Sequence, residues 1–267
     1  MILDDIVTHR LEQLTREKAL LSPEAAKRLA AAAPTPRGFK AALAKDGLSV
    51  IAEVKKASPS KGVICAEFDP VRIAHAYEAA GADAVSVLTE EHYFQGDMRY
   101  LEAIRGTVSL PLLRKDFIVD AYQIYHARVA GADAVLLICA LLDVKTLIEF
   151  SAIAHGLGMD CLTEVHDLYE LEAAAAADAD IIGINNRNLK TFEVNLQTTR
   201  VVAENVPDEA ILVSESGLRD NTDLRMVRKF GADAVLIGET FMRKAGFSER
   251  FEADTAAEMT RLRAGIL

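Results

Sequence analysis

Several short apolar runs of this sequence end in ionisable or amide side chains. The six polar residues at these ends are Glu53, Lys55, Lys115, Glu164, Asn185 and Glu215. Burying charges of this kind costs several kcal/mol per ion unless the charges pair or serve a ligand. Carboxylates and amines that share one site can also exchange protons with a substrate. The residue types therefore predict a proton-transfer site, provided that the fold brings the run ends together.

A repeat of about fifty residues supplies elements that would do so, because two βα units of a barrel have this length. Gly-Ala-Asp-Ala-Val begins at Gly81, Gly131 and Gly231, and a weaker copy begins at Asp178. Each copy joins an alanine-rich helical stretch to an apolar run, which is typical of a helix C-cap followed by a buried strand. Further strand-like runs alternate with the copies, at residues 48–54, 110–113, 160–165 and 210–213. The pattern indicates an α/β protein, and its period favours a (β/α)8 TIM barrel over a doubly wound sheet.

Residues 1–47 precede the repeat and have a helical pattern. We expect helices over residues 2–20 and 23–33, separated at Ser22-Pro23 and ended by Pro34-Thr35-Pro36. The predicted organisation is an N-terminal helical extension, 1–47, packed on a barrel, 48–267, in one structural domain overall. Four acids that precede helical patterns are predicted N-caps: Asp69, Asp120, Asp143 and Asp220.

The six polar residues should share the mouth of such a barrel, because barrel enzymes have their sites at the C-terminal ends of the strands. Side chains two apart on a strand share a face, so Glu53 and Lys55 should point inward together. The same alternation places Lys115 above Leu113. It also turns the strand-end residues Glu164, Asn185 and Glu215 inward.

The last two strands are followed by small residues that favour phosphate binding. Barrels commonly bind phosphate here through backbone N–H groups, which glycine lets an anion approach closely. We expect Glu239 to contribute only its backbone N–H, with its carboxylate turned away. Ser58 and Lys61 lie in the loop after the first strand and should be close to the same place. The predicted phosphate-binding residues are therefore Ser58, Lys61, Ser216, Gly217, Gly238 and Glu239. A small anionic phosphate ester is thus the expected substrate.

Apolar side chains near the predicted mouth could form a flat wall for an aromatic ring. Phe94, Phe117 and Leu189 are the candidates, although ordinary loop packing would explain each of them as well. Arg187 adds a cation to the lysines of the mouth, and together they favour an anionic substrate.

Composition excludes several classes of function. The 267 residues are 51% hydrophobic and 26% charged, as in globular proteins, and the net charge of −10 argues against a nucleic-acid partner. The longest apolar run, Ala134 to Leu142, is much shorter than the ~20 residues of a membrane span. With no signal peptide pattern and three widely spaced cysteines, we expect a cytoplasmic protein with reduced thiols. The histidines have no metal-ligand spacing, so no metal site is predicted, and nothing indicates an obligate protein partner.

Specific motifs in the run ends and loops resemble the indole-3-glycerol phosphate synthase family over the whole chain. The most specific is Glu53-Val54-Lys55-Lys56-Ala57-Ser58-Pro59-Ser60. Others are Arg114-Lys115-Asp116-Phe117-Ile118, Thr163-Glu164-Val165, Gly183-Ile184-Asn185-Asn186-Arg187-Asn188-Leu189 and Ser214-Glu215-Ser216-Gly217.

This resemblance implies conversion of 1-(2-carboxyphenylamino)-1-deoxyribulose 5-phosphate to indole-3-glycerol phosphate, with loss of CO2 and water and without a cofactor. It implies that Lys115 is the general acid on the substrate carbonyl and that Glu164 transfers protons during dehydration. Glu53 and Lys55 would hold substrate groups and relay protons, while Asn185 and Glu215 would position the substrate. Burial could lower the pKa of Lys115 toward the working pH, although nearby carboxylates oppose that change.

Two other functions stay open at this stage. Phosphoribosylanthranilate isomerase is a related phosphate-binding barrel, but its strand-1 base is a cysteine, and here the nearest cysteine, Cys65, follows the strand. A non-catalytic binding module would have no need of the ionisable strand ends.

Overall fold

Eight parallel strands pair in chain order and close into a barrel in the computed structural model, which describes residues 2–245 and 249–266. The strands are β1 (Ser49–Val54), β2 (Ala84–Leu88), β3 (Leu112–Lys115), β4 (Ala134–Ile138), β5 (Asp160–Val165), β6 (Ile181–Asn185), β7 (Ile211–Glu215) and β8 (Ala234–Ile237). The barrel closes between β1 and β8, where Ser49 pairs with Ala234 and Ile51 with Leu236. The predicted (β/α)8 barrel is confirmed.

Helices precede and alternate with the strands. Their bounds are α1 (Ile2–Leu20), α2 (Pro23–Ala32), α3 (Phe39–Leu43), α4 (Pro70–Ala79), α5 (Met98–Arg105), α6 (Ala121–Val129), α7 (Val144–Gly156), α8 (Leu168–Ala176), α9 (Gln197–Ala203), α10 (Asn221–Lys229), α11 (Glu239–Ala245) and α12 (Phe251–Arg263). A short antiparallel hairpin, Ala57–Ser58 with Gly62–Val63, lies in the loop after β1. None of the helices in the described part of the chain is long and apolar enough to cross a membrane.

The predicted N-caps are confirmed by side-chain hydrogen bonds. Asp69, Asp120, Asp143 and Asp220 each accept a backbone N–H from the first turn of α4, α6, α7 and α10, respectively. These bonds satisfy donors that a helix leaves free at its start.

The repeated Gly-Ala-Asp motif has a structural role at the N-terminal ends of the strands. Its glycines have positive φ values of +84°, +90° and +103° at Gly81, Gly131 and Gly231, which side chains disfavour. Its aspartates accept backbone N–H groups of other strands at 2.8–3.0 Å, in the pairs Asp83 with Val50, Asp133 with Leu112, and Asp233 with Leu212. The repeat therefore joins neighbouring strands at the end opposite the predicted site.

The barrel interior is a separate apolar cluster that includes residues of a helix missed by the sequence analysis. Two helices were expected before β1, but α3 follows them. Its Phe39 and Leu43 are fully buried and pack with interior residues such as Ile51 and Leu113. The Lys40 N–H donates to Asp160 at 2.8 Å, at the start of β5. Five residues are too few to show a helical period, so the helix could not be detected from its pattern.

The first helix lies against the barrel through polar contacts. Arg10 is fully buried, and its Nε lies 3.2 Å from Asp116 Oδ1, directly after β3. Tyr122 donates its hydroxyl to the Glu17 carbonyl at 3.1 Å. These contacts attach α1 beside Lys115, at the C-terminal end of the barrel.

Three predicted strand bounds need correction. The runs at 48–54, 110–113 and 210–213 become strands 49–54, 112–115 and 211–215, so Leu48, Leu110 and Ala210 lie outside them. Proline has no N–H to donate, and Pro111 thus disfavours an earlier start of β3. Its carbonyl still accepts the Val85 N–H at 3.0 Å.

Candidate active site

A cavity of about 810 Å³ opens at the C-terminal end of the barrel. All sixteen residues predicted as catalytic or substrate-binding line it: Glu53, Lys55, Ser58, Lys61, Phe94, Lys115, Phe117, Glu164, Asn185, Arg187, Leu189, Glu215, Ser216, Gly217, Gly238 and Glu239. The fold therefore brings together residues of five strands, β1, β3, β5, β6 and β7, and of the segments that follow the strands.

Four charged side chains from alternate strands meet at the base of this cavity. Glu53, Lys115, Glu164 and Glu215 come from β1, β3, β5 and β7, which is how barrels build one layer of inward side chains. Lys115 Nζ lies 3.0 Å from Glu164 Oε2 and 3.5 Å from Glu215 Oε2. One lysine thus contacts two buried carboxylates.

The neighbouring carboxylates raise the pKa of Lys115. This is opposite to the lower pKa that burial alone would give. Burial by itself would lower that pKa, but the charges of Glu164, Glu215 and Glu53 together outweigh it. Burial raises the pKa of Glu215 to about 7, with further repulsion from Glu164 and Glu53. Glu164 shows the opposite direction, because Lys115 and His166 lower its pKa against the effect of burial. The layer therefore holds a charged lysine, an ionised Glu164 and a Glu215 that titrates near neutrality.

Two further residues surround this layer. Lys55 forms an ion pair with Glu53, and both side chains are largely buried. Asn185 hydrogen-bonds the Glu164 carboxylate, and its own Oδ1 accepts the Arg187 N–H at 3.0 Å. The amide is therefore held in one orientation, toward Glu164.

The two loops after β7 and β8 lie together on one side of the cavity. Ser216 and Gly217 both have positive φ, +67° and +81°, so the chain turns sharply at the end of β7. Thr240 Oγ1 donates to the Leu218 carbonyl at 2.6 Å and joins the two loops. The Glu239 carboxylate lies 2.7 Å from Arg243, an arrangement that balances its charge beside this side of the cavity.

Apolar residues occupy another part of the lining. The rings of Phe94 and Phe117 are 5.9 Å apart, and Leu189 lines the same cavity. The loop of Phe94 is held by Glu90, whose carboxylate accepts three consecutive backbone N–H groups at 2.8–3.0 Å. The cavity thus combines an aromatic surface with charged groups.

The sequence analysis missed several lining residues. Ile2, Leu3 and Ile6 of α1 reach the cavity, and so does Arg243 of α11. They lie outside the strand ends, so a search confined to those ends could not find them. Cys65 lies beyond the hairpin with its thiol directed to the Glu67 carbonyl at 3.0 Å, and it does not line the cavity.

The histidines have no metal-ligand spacing in the sequence, yet one of them lies beside the charged layer. His166 Nε2 is 3.5 Å from Glu164 Oε1, and its Nδ1 is 2.9 Å from Glu170 Oε2. Its position two residues after Glu164 was the available signal, because such residues share a face. Over residues 2–245 and 249–266, no group of three His, Cys, Asp or Glu side chains is arranged to hold a metal ion.

Comparison with known proteins gives consistent matches. The pattern of the indole-3-glycerol phosphate synthase family matches residues 3–253. The chain is 49% identical over 253 residues to the indole-3-glycerol phosphate synthase of Acetivibrio thermocellus, covering 94% of this chain and 97% of that protein. It is 48% identical over 268 residues to the enzyme of the same name from Ruminiclostridium cellulolyticum, covering 98% of this chain and 99% of that protein.

Among solved structures, the barrel is similar to 3-hexulose-6-phosphate synthase from Salmonella typhimurium. The TM-score is 0.62 at 14% identity, over 81% of this chain and 97% of that one, a likeness of fold alone. The sequence matches go further, because they extend over nearly the whole chain at almost half identity. On these matches, the chain belongs to the indole-3-glycerol phosphate synthase family.

Proposed function

We propose that this chain converts 1-(2-carboxyphenylamino)-1-deoxyribulose 5-phosphate to indole-3-glycerol phosphate, CO2 and water. The observation that carries the proposal is Lys115 Nζ, which lies 3.0 Å and 3.5 Å from two buried carboxylates at the base of the cavity. A carbonyl placed above this lysine would meet a charged donor, and a neighbouring carboxylate could exchange protons with the same substrate.

The lining offers a separate place for each end of this substrate. The phosphate would lie against the backbone of Ser216, Gly217 and Gly238, with cationic support from Lys61 and Arg243 on the cavity rim. The aromatic ring would lie against Phe94 and Phe117. With both ends held, the ring carbon and the carbonyl would be kept close, which can supply much of the barrier reduction for ring closure.

Lys115 would act first, as the general acid of ring closure. When the ring carbon attacks the carbonyl, negative charge develops on the carbonyl oxygen. A protonated amine in hydrogen-bond reach stabilises that charge and then transfers its proton. The raised pKa of Lys115 keeps the amine charged until the developing negative charge makes the oxygen more basic than the amine itself.

Glu164 would serve the later proton transfers. Loss of CO2 restores the aromatic ring, and loss of the hydroxyl group as water then requires a proton donor and a proton acceptor. Glu164 contacts Lys115 directly and is oriented by Asn185, so it can exchange a proton with either the lysine or the substrate. Glu53 and Lys55 would hold the substrate carboxylate and hydroxyl groups, and Glu215 would position the substrate.

The test is to incubate the purified chain with this substrate, without added metal, and to measure indole fluorescence and released CO2 together. We expect one CO2 for each indole formed. A parallel sample receives phosphoribosylanthranilate, the substrate of the related isomerase. Conversion of that compound alone would overturn the proposal in favour of the isomerase, and a folded chain inactive on both would favour a binding module.

A further inference from the structure

A line of contacts leads from Glu164 out of the substrate cavity. His166 Nε2 lies 3.5 Å from Glu164 Oε1, and His166 Nδ1 lies 2.9 Å from Glu170 Oε2. The same Glu170 oxygen accepts the backbone N–H of His166 at 2.9 Å. The imidazole is therefore held between two carboxylates, one of which lines the cavity.

These contacts define which nitrogens of His166 carry protons. Nδ1 faces a carboxylate oxygen, so it carries a proton and donates a hydrogen bond to Glu170. Nε2 is buried, has no hydrogen-bond partner, and faces the Glu164 carboxylate. A neutral ring would set its lone pair against that oxygen, whereas an imidazolium would direct an N–H toward it. The surroundings therefore favour the charged ring.

His166 also connects two separate spaces. Glu164 lines the substrate cavity, whereas His166 lines a second cleft of about 500 Å³ beside α8 and α9. Asn195 lines both and forms a shared wall. A proton can thus pass from the cleft to Glu164 without crossing the mouth of the cavity, which the substrate would fill.

The proposed reaction needs such a route, and the present inference rests on that proposed function. Conversion of a carboxylate to CO2 with release of water consumes one proton from solvent in each turnover. Once Lys115 has given its proton to the carbonyl oxygen, the charged layer of Glu53, Lys115, Glu164 and Glu215 holds one proton fewer than before the reaction. Glu164 can deliver a proton to the leaving hydroxyl group only if it receives one.

We propose that His166 is a positioning and proton-relay residue that supplies this proton to Glu164, and that Glu170 holds its imidazole charged and correctly oriented. In the transfer, the Nε2–H bond breaks and an O–H bond forms at Glu164 Oε1. The ring becomes neutral, and its remaining proton stays on Nδ1 in the hydrogen bond to Glu170. A solvent proton that enters through the second cleft then binds Nε2 while the ring is turned away from Glu164, and this restores the imidazolium.

The charges around His166 agree with this role. Burial would lower the pKa of His166, but the hydrogen bond to Glu170 and the charges of Glu164, Glu170 and Glu215 raise it. The Cys139 thiol, whose charge is coupled to Glu164 and Glu170, stays neutral because burial raises its pKa to about 12. The thiol therefore adds no charge to this group of side chains below that pH.

The test compares the pH dependence of kcat in the wild type and three variants. In His166→Asn we expect kcat to fall by about 10²-fold, the scale of a positioned proton transfer, with KM little changed. In the wild type, kcat should decline as pH rises through the pKa of His166, and this decline should be absent in His166→Asn. Glu170→Gln removes one of the charges that raise that pKa, so its decline should begin at lower pH.

Glu172→Gln is the matched control, because Glu172 is exposed on the same helix, α8. It should keep the wild-type kcat and pH profile. A purely structural role for His166 would leave the Glu170→Gln profile unshifted, and that result would overturn the inference. Wild-type kcat in His166→Asn would do the same. If the wild type itself converts no substrate, the proposed function fails. That result differs from failure of the inference about His166, in which the wild type is active and only the variants behave unexpectedly.

Discussion

The fold buries the Glu215 side chain where its ionised form is unfavourable. It is 2% exposed, its Oε1 has no hydrogen-bond partner, and Glu164 and Glu53 repel its charge. Its pKa is raised from 4.5 to about 7, mainly by burial. Because the folded pKa lies above the unfolded one, stability is lost as pH rises from about 4.5 through about 7.

Replacing this residue should therefore separate stability from activity. We expect Glu215→Gln to unfold at a temperature a few degrees higher than the wild type at pH 8, since about 1 kcal/mol corresponds to roughly 2–4 °C in a chain of this size. The gain should be absent at about pH 3, below both pKa values, where the carboxyl is protonated in the folded and the unfolded state. Turnover should fall, because the amide cannot carry the charge that faces Lys115. Thermal unfolding at both pH values checks the first part, and a lower melting temperature at pH 8 would contradict it.

At the scale of the elements, a glycine in β6 makes room for that carboxylate. A Cβ at Gly183 would lie 2.2 Å from Glu215 Oε1 and 3.2 Å from Leu162 Cδ1. Its φ is not positive, so the constraint is space and not backbone conformation. The strand therefore lacks a side chain at the point where its neighbour β7 directs Glu215 inward.

We expect Gly183→Ala to displace the Glu215 side chain and lower kcat at least as far as Glu215→Gln does. The control is Gly156→Ala at the end of α7, where a Cβ would meet nothing within 4 Å. That variant should keep its activity, because α7 lies outside the cavity. Activity assays on both variants, with circular dichroism to confirm folding, make the comparison. Wild-type kcat in Gly183→Ala would show that Glu215 can move without consequence.

Alternation along strands made most of this arrangement predictable from the sequence. Once the repeat indicated a barrel, the period of two placed Glu53, Lys115, Glu164 and Glu215 on the inner face. The same rule extends to His166, which lies two residues after Glu164. The contact of His166 with Glu170 depends on how α8 packs over β5, and a single sequence does not contain that distance. α3 was missed for a different reason, because its helical character depends on burial of Phe39 and Leu43 under the barrel.

At the scale of the whole molecule, α1 and the barrel share a buried ion cluster. Arg10 contacts Glu17 on its own helix and Asp116 after β3, and Arg114 contacts Asp116 at 2.7 Å. Asp116 directly follows Lys115, so the first helix helps to fix the end of the strand that carries the proposed acid. The sequence predicted an extension but could not indicate this cluster, because its partners are about a hundred residues apart in the chain.

Removal of Arg10 should therefore cost much more stability than removal of an exposed arginine of α1. Breaking a buried pair from one side typically costs about 3–5 kcal/mol, so we expect Arg10→Met to lower the free energy of unfolding by an amount of this order. Arg16 pairs with Glu91 at 2.9 Å, but both side chains are about half exposed. Arg16→Met should change stability by less than about 1 kcal/mol. Denaturant unfolding of the two variants gives the comparison, and equal effects would refute the role assigned to burial.

The central claim is that Lys115 is the acid of an indole-forming reaction, and one measurement tests it most directly. The substrate 1-(2-carboxyphenylamino)-1-deoxyribulose 5-phosphate is added to the wild type, to Lys115→Ala and to Lys145→Ala, an exposed lysine of α7. Indole fluorescence is followed without added metal. We expect formation of the indole by the wild type and Lys145→Ala, and a loss of at least about 10²-fold in Lys115→Ala. An unchanged rate in Lys115→Ala would remove Lys115 from the reaction and contradict the account.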